Sequence, residues 1–329
     1  MTKVVRIHKP GGPEALQIED LEVGAPGPGE ARVKIEAIGL NRSEAMYRQG
    51  GYIQPPKLPA LIGYEASGVV EALGEGVIGF SPGDRVSIIP KFQQGNYGVY
   101  AEAAIVPAHG LFKLPDSISS IDGAAIWMQY LTAMAIIEVG KATIGDFVII
   151  PAASSSVGLA AIQLANWAGA VPIAATRRSG KAAALKAHGA RHVIATEESD
   201  LVAEVKQITG GKGARLVFDP VGGPYVMTLA QAMAPEGIMF IYGGLSGQDT
   251  PYPHWPAAFG SLSLRGWVAS FIWNHPDRFA RATDLVLRGL TGGQLKAVID
   301  KTFPLDEIVE AHRYLESNQQ IGKVVVTVG

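Results

Sequence analysis

Hydrophobic and polar positions follow two different patterns in the two halves of the chain. From residue 1 to about 122, the apolar runs are short, alternate with polar residues and are broken by Gly and Pro. Ala31–Ala37 and Asp84–Ile89 are examples, and Pro26–Gly29 is one of the breakers. Alternation with a period of two between turn residues predicts strands with one buried face. We therefore predict an antiparallel, barrel-like β domain in this region.

From Ile121 onward, apolar strand-like blocks alternate with longer helix-like blocks. The predicted strands are Phe147–Pro151, Ala170–Thr176, His192–Ile194, Leu216–Phe218, Ile238–Tyr242 and a further candidate at Leu262–Ser270. The predicted helices are Val157–Ala168, Gly180–His188, Ser199–Thr209 and Tyr225–Met233. Repeated β-α units of this length predict an α/β domain with a parallel sheet and helices on both faces.

The last part of the chain contains two helix candidates, Pro276–Arg288 and Leu305–Glu316, and a closing strand, Lys323–Val328. We expect these elements to return to the first domain. A length of 329 residues also favours two domains over one.

Composition excludes several classes of protein. Lys and Arg number 28 and Asp and Glu 30, so a net charge of −2 gives no basic footprint for nucleic acid or an anionic membrane. The absence of Cys excludes disulfides, iron–sulfur clusters, thiolate metal sites and cysteine nucleophiles. The N-terminus lacks the apolar core of a signal peptide, and no apolar run reaches the roughly 18 residues of a membrane span. We expect a soluble, cytoplasmic protein.

A candidate cofactor loop follows the first strand of the parallel sheet. The glycine positions of the dinucleotide fingerprint fall on Ala153, Ser155 and Gly158, so only the last glycine is kept. Small residues and the hydroxyls of Ser154, Ser155 and Ser156 still allow a pyrophosphate to approach the helix N-terminus. Taken alone, the loop could equally be a Ser-rich helix cap. The position of the loop within a β-α-β run favours cofactor binding.

The end of the second strand indicates which dinucleotide binds. Enzymes that use NAD place Asp or Glu there to bind the ribose 2′-hydroxyl, about 20 residues beyond the loop. This chain has Arg177, Arg178 and Lys181 instead. Guanidinium groups pair well with a 2′-phosphate, so we predict NADPH as the cofactor. A solvated basic turn is the alternative interpretation.

Two further segments resemble the zinc site of alcohol dehydrogenases without its ligands. Gly63–Val70 is similar to their Gly-His-Glu-x-x-Gly-x-Val signature, with Tyr64 in place of the zinc-binding histidine. Asn41 stands where those enzymes have a zinc-binding cysteine. Zinc sites of this type need a thiolate and an imidazole, so we predict no metal. A zinc site built from distant His, Glu or Asp residues is the alternative.

The chain as a whole resembles the zinc-free quinone oxidoreductase branch of the medium-chain dehydrogenase/reductase superfamily. Four segments carry the resemblance: Asn41–Tyr52, Leu131–Ala133, Phe218–Gly223 and Gly322–Val326. The chain departs from the branch in the Ala-Ser-Ser-Ser of its cofactor loop, where Ala-x-Gly-Gly is commoner, and at Met128–Tyr130.

The resemblance implies a GroES-like β-barrel catalytic domain, residues 1–122 and 267–329, and a Rossmann-like, doubly wound NADPH-binding domain, residues 123–266. It places the active site in the cleft between them. It adds Thr132, Val157, Gly243 and Lys323 to the cofactor-binding residues. It also implies a homodimer or homotetramer that forms through the edge strand of the cofactor domain, near Ser261–Trp267.

Without a metal, an alcohol substrate keeps its high pKa, which favours hydride delivery to an electron-poor carbon of a quinone or an α,β-unsaturated carbonyl. Negative charge then develops on the acceptor oxygen and needs a hydrogen-bond donor. Our candidates are Asn41, Tyr47, Tyr52 and Tyr64. The alternatives are a turn residue for Asn41, a core tyrosine for Tyr52 and a filler of the vacated metal volume for Tyr64.

The sequence is also compatible with other functions. The scaffold also suits a reductase or dehydrogenase of another carbonyl or alcohol, or an NADPH-binding sensor or structural protein without turnover. The aromatic stretch Tyr252–Pro256, with Trp267, Phe271 and Trp273, suits either the walls of a substrate pocket or packing.

Overall fold

The computed structural model describes residues 1–329 and divides the chain into two compact units. The first unit joins Met1–Met128 with Ala297–Gly329, and the second is Gln129–Lys296. The chain therefore leaves the first unit, builds the second and returns.

The strands are β1 Thr2–Ile7, β2 Leu16–Leu21, β3 Glu30–Gly39, β4 Ala60–Leu61, β5 Glu65–Leu73, β6 Arg85–Ile88, β7 Ala103–Pro107, β8 Leu111–Lys113, β9 Phe147–Ile150, β10 Val171–Thr176, β11 His192–Ala195, β12 Ala214–Asp219, β13 Met233–Ile241, β14 Ser263–Gly266, β15 Ile299–Pro304 and β16 Lys323–Thr327. The helices are α1 Arg42–Arg48, α2 Ser120–Gly123, α3 Trp127–Ala133, α4 Ser156–Trp167, α5 Ala182–Ala187, α6 Leu201–Ile208, α7 Tyr225–Gln231, α8 His254–Gly260, α9 Ser270–Trp273, α10 Pro276–Thr291 and α11 Ile308–Glu316.

The first unit is built on two β-sheets. A seven-stranded sheet has the order β15-β16-β3-β5-β6-β8, with β7 also paired to β3, and a three-stranded sheet has the order β2-β1-β4. All pairs are antiparallel except β15 with β16. Alternate residues such as Val33, Ile35 and Val324 fill the core of this unit. The strand β16 lies next to β3, so the end of the chain completes the sheet that the beginning starts.

The second unit contains a six-stranded parallel sheet in the order β11-β10-β9-β12-β13-β14. The strand order reverses at β9, so the chain runs outward from β9 in both directions. In such doubly wound sheets, ligands bind beyond the carboxyl ends of the strands at the reversal point. Here these are the ends of β9 and β12. The predicted fold class, with an antiparallel β domain and a parallel α/β domain, is confirmed.

The division of the chain differs from the expected ranges at both boundaries. The second unit begins at Gln129 and extends to Lys296, where we expected residues 123 and 266. The later boundary arises because α10 packs in the second unit. A Cβ added at Gly289 of α10 would come within 2.7 Å of the Trp167 ring, and Arg281 forms an ion pair with Glu138 at 2.9 Å. Of the three elements that we expect to return to the first unit, the helix α11 and the strand β16 do so, together with β15, whereas α10 does not.

None of the helices combines the length and hydrophobicity that crossing a membrane requires.

Candidate active site

A buried ammonium group links the two segments that resemble the zinc site of alcohol dehydrogenases, one at Asn41 and the other at Gly63–Val70. Lys323 Nζ donates to Glu65 Oε2 at 2.6 Å and to Asn41 Oδ1 at 2.7 Å. The other oxygen of Glu65 accepts the backbone N–H groups of Trp127 and Met128, at 2.8 and 2.9 Å. The side chains of Lys323 and Glu65 are both 0% exposed. Ion pairs buried to this degree are stable only when hydrogen bonds satisfy their remaining atoms, as they do here.

Asn41 uses its side-chain amide within this network. Its Nδ2 donates to Gly39 O at 3.0 Å and to Glu44 Oε1 at 3.2 Å, while its Oδ1 accepts from Lys323. A primary amide has two N–H groups, so both are already engaged. Asn41 therefore organises the site from the start of α1, and this geometry does not support its expected role as a donor to the acceptor oxygen.

Glu44 is a second buried carboxyl group in the same network. One oxygen accepts the backbone N–H of Asn41 at 2.5 Å, and the other accepts the backbone N–H of Tyr64 at 3.2 Å. The pKa of Glu44 is raised to about 7. Burial is the largest cause, Lys323 and the hydrogen bonds from Asn41 offset part of the rise, and the nearby charge of Glu65 adds to it. Glu44 thus ties the Asn41 segment to the Tyr64 segment.

Two of the candidate tyrosines, Tyr52 and Tyr64, lie close enough to Glu44 for its charge to act on their phenols, and Tyr47 follows Glu44 on α1. Tyr47 is 2% exposed and belongs to the core, whereas Tyr52 and Tyr64 are partly buried. Burial raises the pKa of all three phenols, and the Tyr64 pKa is raised further by Tyr52, Glu44 and Tyr47. These mutual effects indicate that the phenols lie near one another. Their raised pKa values keep them protonated at neutral pH, so they are hydrogen-bond donors.

The residues of this network do not fit a divalent metal. An ammonium group lies 2.7 Å from the Asn41 oxygen and would repel a second cation there. Tyr64 and Asn41 supply neither the thiolate nor the imidazole that zinc prefers. No group of three or more His, Asp or Glu side chains is arranged around a common metal position.

The cofactor loop of the second unit runs from the end of β9 into α4. Ser155 caps α4, and its Oγ accepts the backbone N–H of Gly158 at 3.0 Å. A Cβ at Gly158 would lie 2.6 Å from Ala153 O, so only glycine allows the first turn of α4 to approach the backbone of the cofactor loop this closely. Val157 and Ser156 occupy the first turn of α4, where N–H groups point out of the helix. Such a turn, uncrowded by side chains, fits a dinucleotide pyrophosphate.

The basic residues after β10 lie in two different settings. Lys181 Nζ donates to Ser154 Oγ at 3.0 Å, which brings the basic turn next to the cofactor loop. Arg178 instead pairs with Glu197 at 2.8 Å and is 80% exposed. Arg177 is exposed at the end of β10. A 2′-phosphate therefore fits Ser154, Arg177 and Lys181 better than it fits Arg178.

Two further expected cofactor residues also lie in the second unit. Thr132 is buried on α3, and its carbonyl accepts Trp267 Nε1 at 2.8 Å. Gly243 follows β13, where a Cβ would lie 2.6 Å from Pro220 O, so the loops after β12 and β13 touch through this glycine. Lys323, which we expected near the cofactor, lies in the first unit with its ammonium group engaged by Glu65 and Asn41.

Sequence reasoning missed two residues of this region. Glu65 stands in the Gly63–Val70 motif, but nothing in the sequence links it to Lys323, which is 258 residues away. Gln94 is buried near the tyrosines, and no sequence signal marks it.

Comparison with known proteins places both units in recognised families. Residues 27–116 match the alcohol dehydrogenase GroES-like domain, and residues 156–288 match the zinc-binding dehydrogenase family. The 2-haloacrylate reductase of Burkholderia sp is 30% identical, with 99% of each chain covered. The quinone oxidoreductase of Pseudomonas aeruginosa is also 30% identical over 99% of each chain.

A solved structure agrees with these relatives. The quinone oxidoreductase of Escherichia coli, crystallised with NADPH, superposes with a TM-score of 0.92 at 29% identity, and 99% of each chain is covered. Identity at this level over the full length, together with both domain matches, shows that the chain belongs to the medium-chain dehydrogenase/reductase superfamily, in its zinc-free quinone oxidoreductase branch.

Proposed function

We propose that this protein is an enzyme that reduces quinones or α,β-unsaturated carbonyl compounds with NADPH and without a metal ion. The observation that carries the proposal is the network of Lys323, Asn41 and Glu65, in which an ammonium group is bonded to Asn41, the residue at the motif position of a zinc-binding cysteine. An alcohol bound here would keep its high pKa, whereas an electron-poor alkene or quinone needs no Lewis acid to accept a hydride. The names of the full-length relatives support this choice of acceptor.

NADPH supplies the hydride when it is bound. The first turn of α4 and Ser154–Gly158 would hold its pyrophosphate, since this loop offers unpaired helix N–H groups and a glycine at the closest approach. Arg177, Lys181 and Ser154 would hold the 2′-phosphate. Thr132 and Gly243 would contact the remainder of the cofactor.

The acceptor oxygen gains negative charge as hydride adds to the conjugated carbon. We assign Tyr52 and Tyr64 as the hydrogen-bond donors to this oxygen, because both are partly buried and burial keeps their phenols protonated. Tyr47, at 2% exposed, shapes the floor of this region. A proton from water then completes the hydroquinone or the saturated carbonyl product.

The test is NADPH oxidation by purified protein with 1,4-benzoquinone, 9,10-phenanthrenequinone and a panel of enones. We expect turnover with at least one acceptor and none with simple alcohols and NADP⁺. Tight NADPH binding without oxidation by any acceptor would favour a sensor or structural protein. Metal analysis of the same sample addresses the mechanism, and stoichiometric zinc would contradict the metal-free proposal.

We also propose a cytoplasmic homodimer. The absence of Cys is compatible with a reducing compartment. The strand β14 lies at the edge of the parallel sheet and leaves one row of backbone groups open for pairing. Beside it in sequence, Trp255 and Phe259 of α8 stack at 5.7 Å and are 66% and 85% exposed. We take this exposed pair as part of the interface, because contiguous apolar patches on a protein surface are typical of interaction sites.

A further inference from the structure

The loop Phe92–Tyr97 covers the candidate tyrosines of the first unit. The Phe92 and Tyr64 rings are 5.9 Å apart, and a Cβ added at Gly95 would collide with the Tyr47 hydroxyl. The backbone of Gln94 acts on the Tyr64 hydroxyl and partly offsets the rise of the Tyr64 pKa. Gln94 therefore lies beside Tyr64, in the same region as Tyr52, and these two tyrosines are the proposed donors.

The Gln94 side chain is buried without any hydrogen-bond partner. It is 6% exposed, and neither its Nε2 nor its Oε1 is bonded to another protein atom. An unpaired buried amide is costly, and such groups in native proteins are usually satisfied by a ligand or by water. Gln94 thus has a buried donor and a buried acceptor that no other atom of the protein bonds.

The loop does not need this amide for its own structure. Its turn is closed by backbone bonds from Gly95 N to Tyr97 O at 3.2 Å and from Asn96 N to Gln93 O at 3.3 Å. The side chains of Asn96 and Gln93 also bond each other, at 3.4 Å. The neighbouring Gln93 is exposed, so two adjacent glutamines occupy opposite environments.

We propose that Gln94 is a specificity-determining residue that binds an acceptor whose carbonyl oxygen has an N–H or O–H group beside it. Amino- and hydroxyquinones and α,β-unsaturated carboxamides have this pattern. The Nε2–H donates to the carbonyl oxygen, and Oε1 accepts from the adjacent N–H or O–H. This inference rests on the proposed function and narrows its substrate class.

The pairing also discriminates against carboxylate substrates. An ionised carboxylate offers only acceptors, so one of its oxygens would face Gln94 Oε1 without a hydrogen between them. A site that hydrogen bonds a substrate group rejects analogues that leave its own polar atoms unpaired. Unsaturated acids are therefore poorer ligands than the corresponding amides.

The test compares two quinones of similar size, 2-amino- and 2-methyl-1,4-naphthoquinone. We expect the wild-type protein with NADP⁺, which cannot donate a hydride, to bind the amino compound about ten-fold more tightly, as two neutral hydrogen bonds allow. Gln94→Met should remove this preference, whereas Gln93→Met on the same loop should keep it. Dissociation constants measured by quenching of protein fluorescence are compared as ratios, so a general loss of stability cancels.

The outcomes separate this inference from the proposed function. Equal binding of both quinones by the wild-type protein would mean that water satisfies Gln94, and would overturn the inference. A preference that survives in Gln94→Met would also overturn it. Neither measurement depends on turnover, so absence of NADPH oxidation would contradict the proposed function while the binding ratio still tests Gln94.

Discussion

At the scale of single residues, Arg177 and Arg178 are neighbours in sequence with different surroundings. Arg178 is paired with Glu197, whereas Arg177 is exposed beside the turn that Lys181 and Ser154 connect. We expect Arg177→Asp to raise the dissociation constant of NADPH at least about ten-fold, because a charge-assisted phosphate contact is replaced by repulsion. The dissociation constant of NADH should not rise.

Arg178→Ala is the matched control for this prediction. Its surface ion pair contributes little, so NADPH binding should change by no more than about two-fold. Fluorescence titrations of both variants with both cofactors measure the difference. Equal losses in the two variants would mean that the turn acts only as a general positive patch.

Glu44 predicts a pH dependence of stability. Its pKa is about 7 in the folded protein and 4.5 is its ordinary value, so the folded state favours the protonated form. The stabilising contribution is complete below pH 4.5 and is lost as the pH rises through 7. Relative to Glu44→Gln, the wild-type free energy of unfolding should fall by about 3 kcal/mol between pH 4.5 and neutral or mildly alkaline pH.

Urea unfolding at a series of pH values measures this difference. Glu22→Gln, at an exposed position, is the control and should parallel the wild type. Parallel curves for Glu44→Gln and wild type would show that Glu44 stays ionised when buried.

The sequence predicted which residues replace metal ligands, but it did not predict the hydrogen-bond partners of these residues. Asn41 and Tyr64 could be recognised as replacements for metal ligands, because motif spacing places them without any knowledge of packing. The engagement of the Asn41 amide could not be predicted, because it depends on Lys323 from a strand 282 residues later. Long-range contacts of this kind follow from sheet register and leave no local signal.

At the scale of elements, the contact between α4 and the cofactor loop that precedes it depends on Gly158. The Cβ of Gly158→Ala would lie 2.6 Å from Ala153 O, and a backbone atom cannot move aside as a side chain can. We expect the variant to lose about 1–3 kcal/mol of stability and to bind NADPH more weakly, since the first turn of α4 must shift.

Gly180→Ala supplies the control, because a Cβ there meets nothing within 4 Å and Gly180 lies in the nearby basic turn. It should retain the melting temperature and NADPH affinity of the wild type. If Gly158→Ala behaves in the same way, the helix and the cofactor loop tolerate a wider separation than the structure indicates.

Hydrophobic periodicity predicted most strands and helices of the parallel sheet domain, but it did not predict where β13 begins. The strand predicted at Ile238–Tyr242 begins at Met233, because its pairing with β12 continues through a bulge between Ala214 and Leu216. Glu236 adopts a φ of 60°, which local sequence rarely signals for a residue other than glycine. Pro235 also lies within β13, and proline is rare inside strands, so the sequence favours a later start for this strand.

At the scale of the whole molecule, the proposed dimer interface can be tested by mutation. Phe259 on α8 and Ile144 are both exposed large apolar residues of the second unit, at 85% each. We expect Phe259→Glu to convert the dimer into a monomer, because it places a charge in the proposed interface. Ile144→Glu should leave the dimer intact.

Light scattering after size-exclusion chromatography measures the mass of each variant. A wild-type monomer would contradict the proposal directly. A dimer that persists in Phe259→Glu would move the interface away from α8.

The number and types of domain could be predicted from the sequence, because two hydrophobic periods divide the chain. The boundary at which the second unit ends, after Lys296, could not be predicted in this way. The amphipathic helix α10 carries no mark of the unit on which it packs, and only its contacts with Trp167 and Glu138 assign it to the second unit.

The place of Lys323 in the chain has a consequence for biosynthesis. Residues 1–128 leave the ribosome first, yet the counter-ion of Glu65 and the strand beside β3 arrive only with residues 323–327. Domains generally fold in order as they are synthesised. Here the contiguous second unit is complete before the first, and the buried Glu65 lacks its cation until β16 has been synthesised. The nascent first unit is therefore the part of this protein most in need of a chaperone.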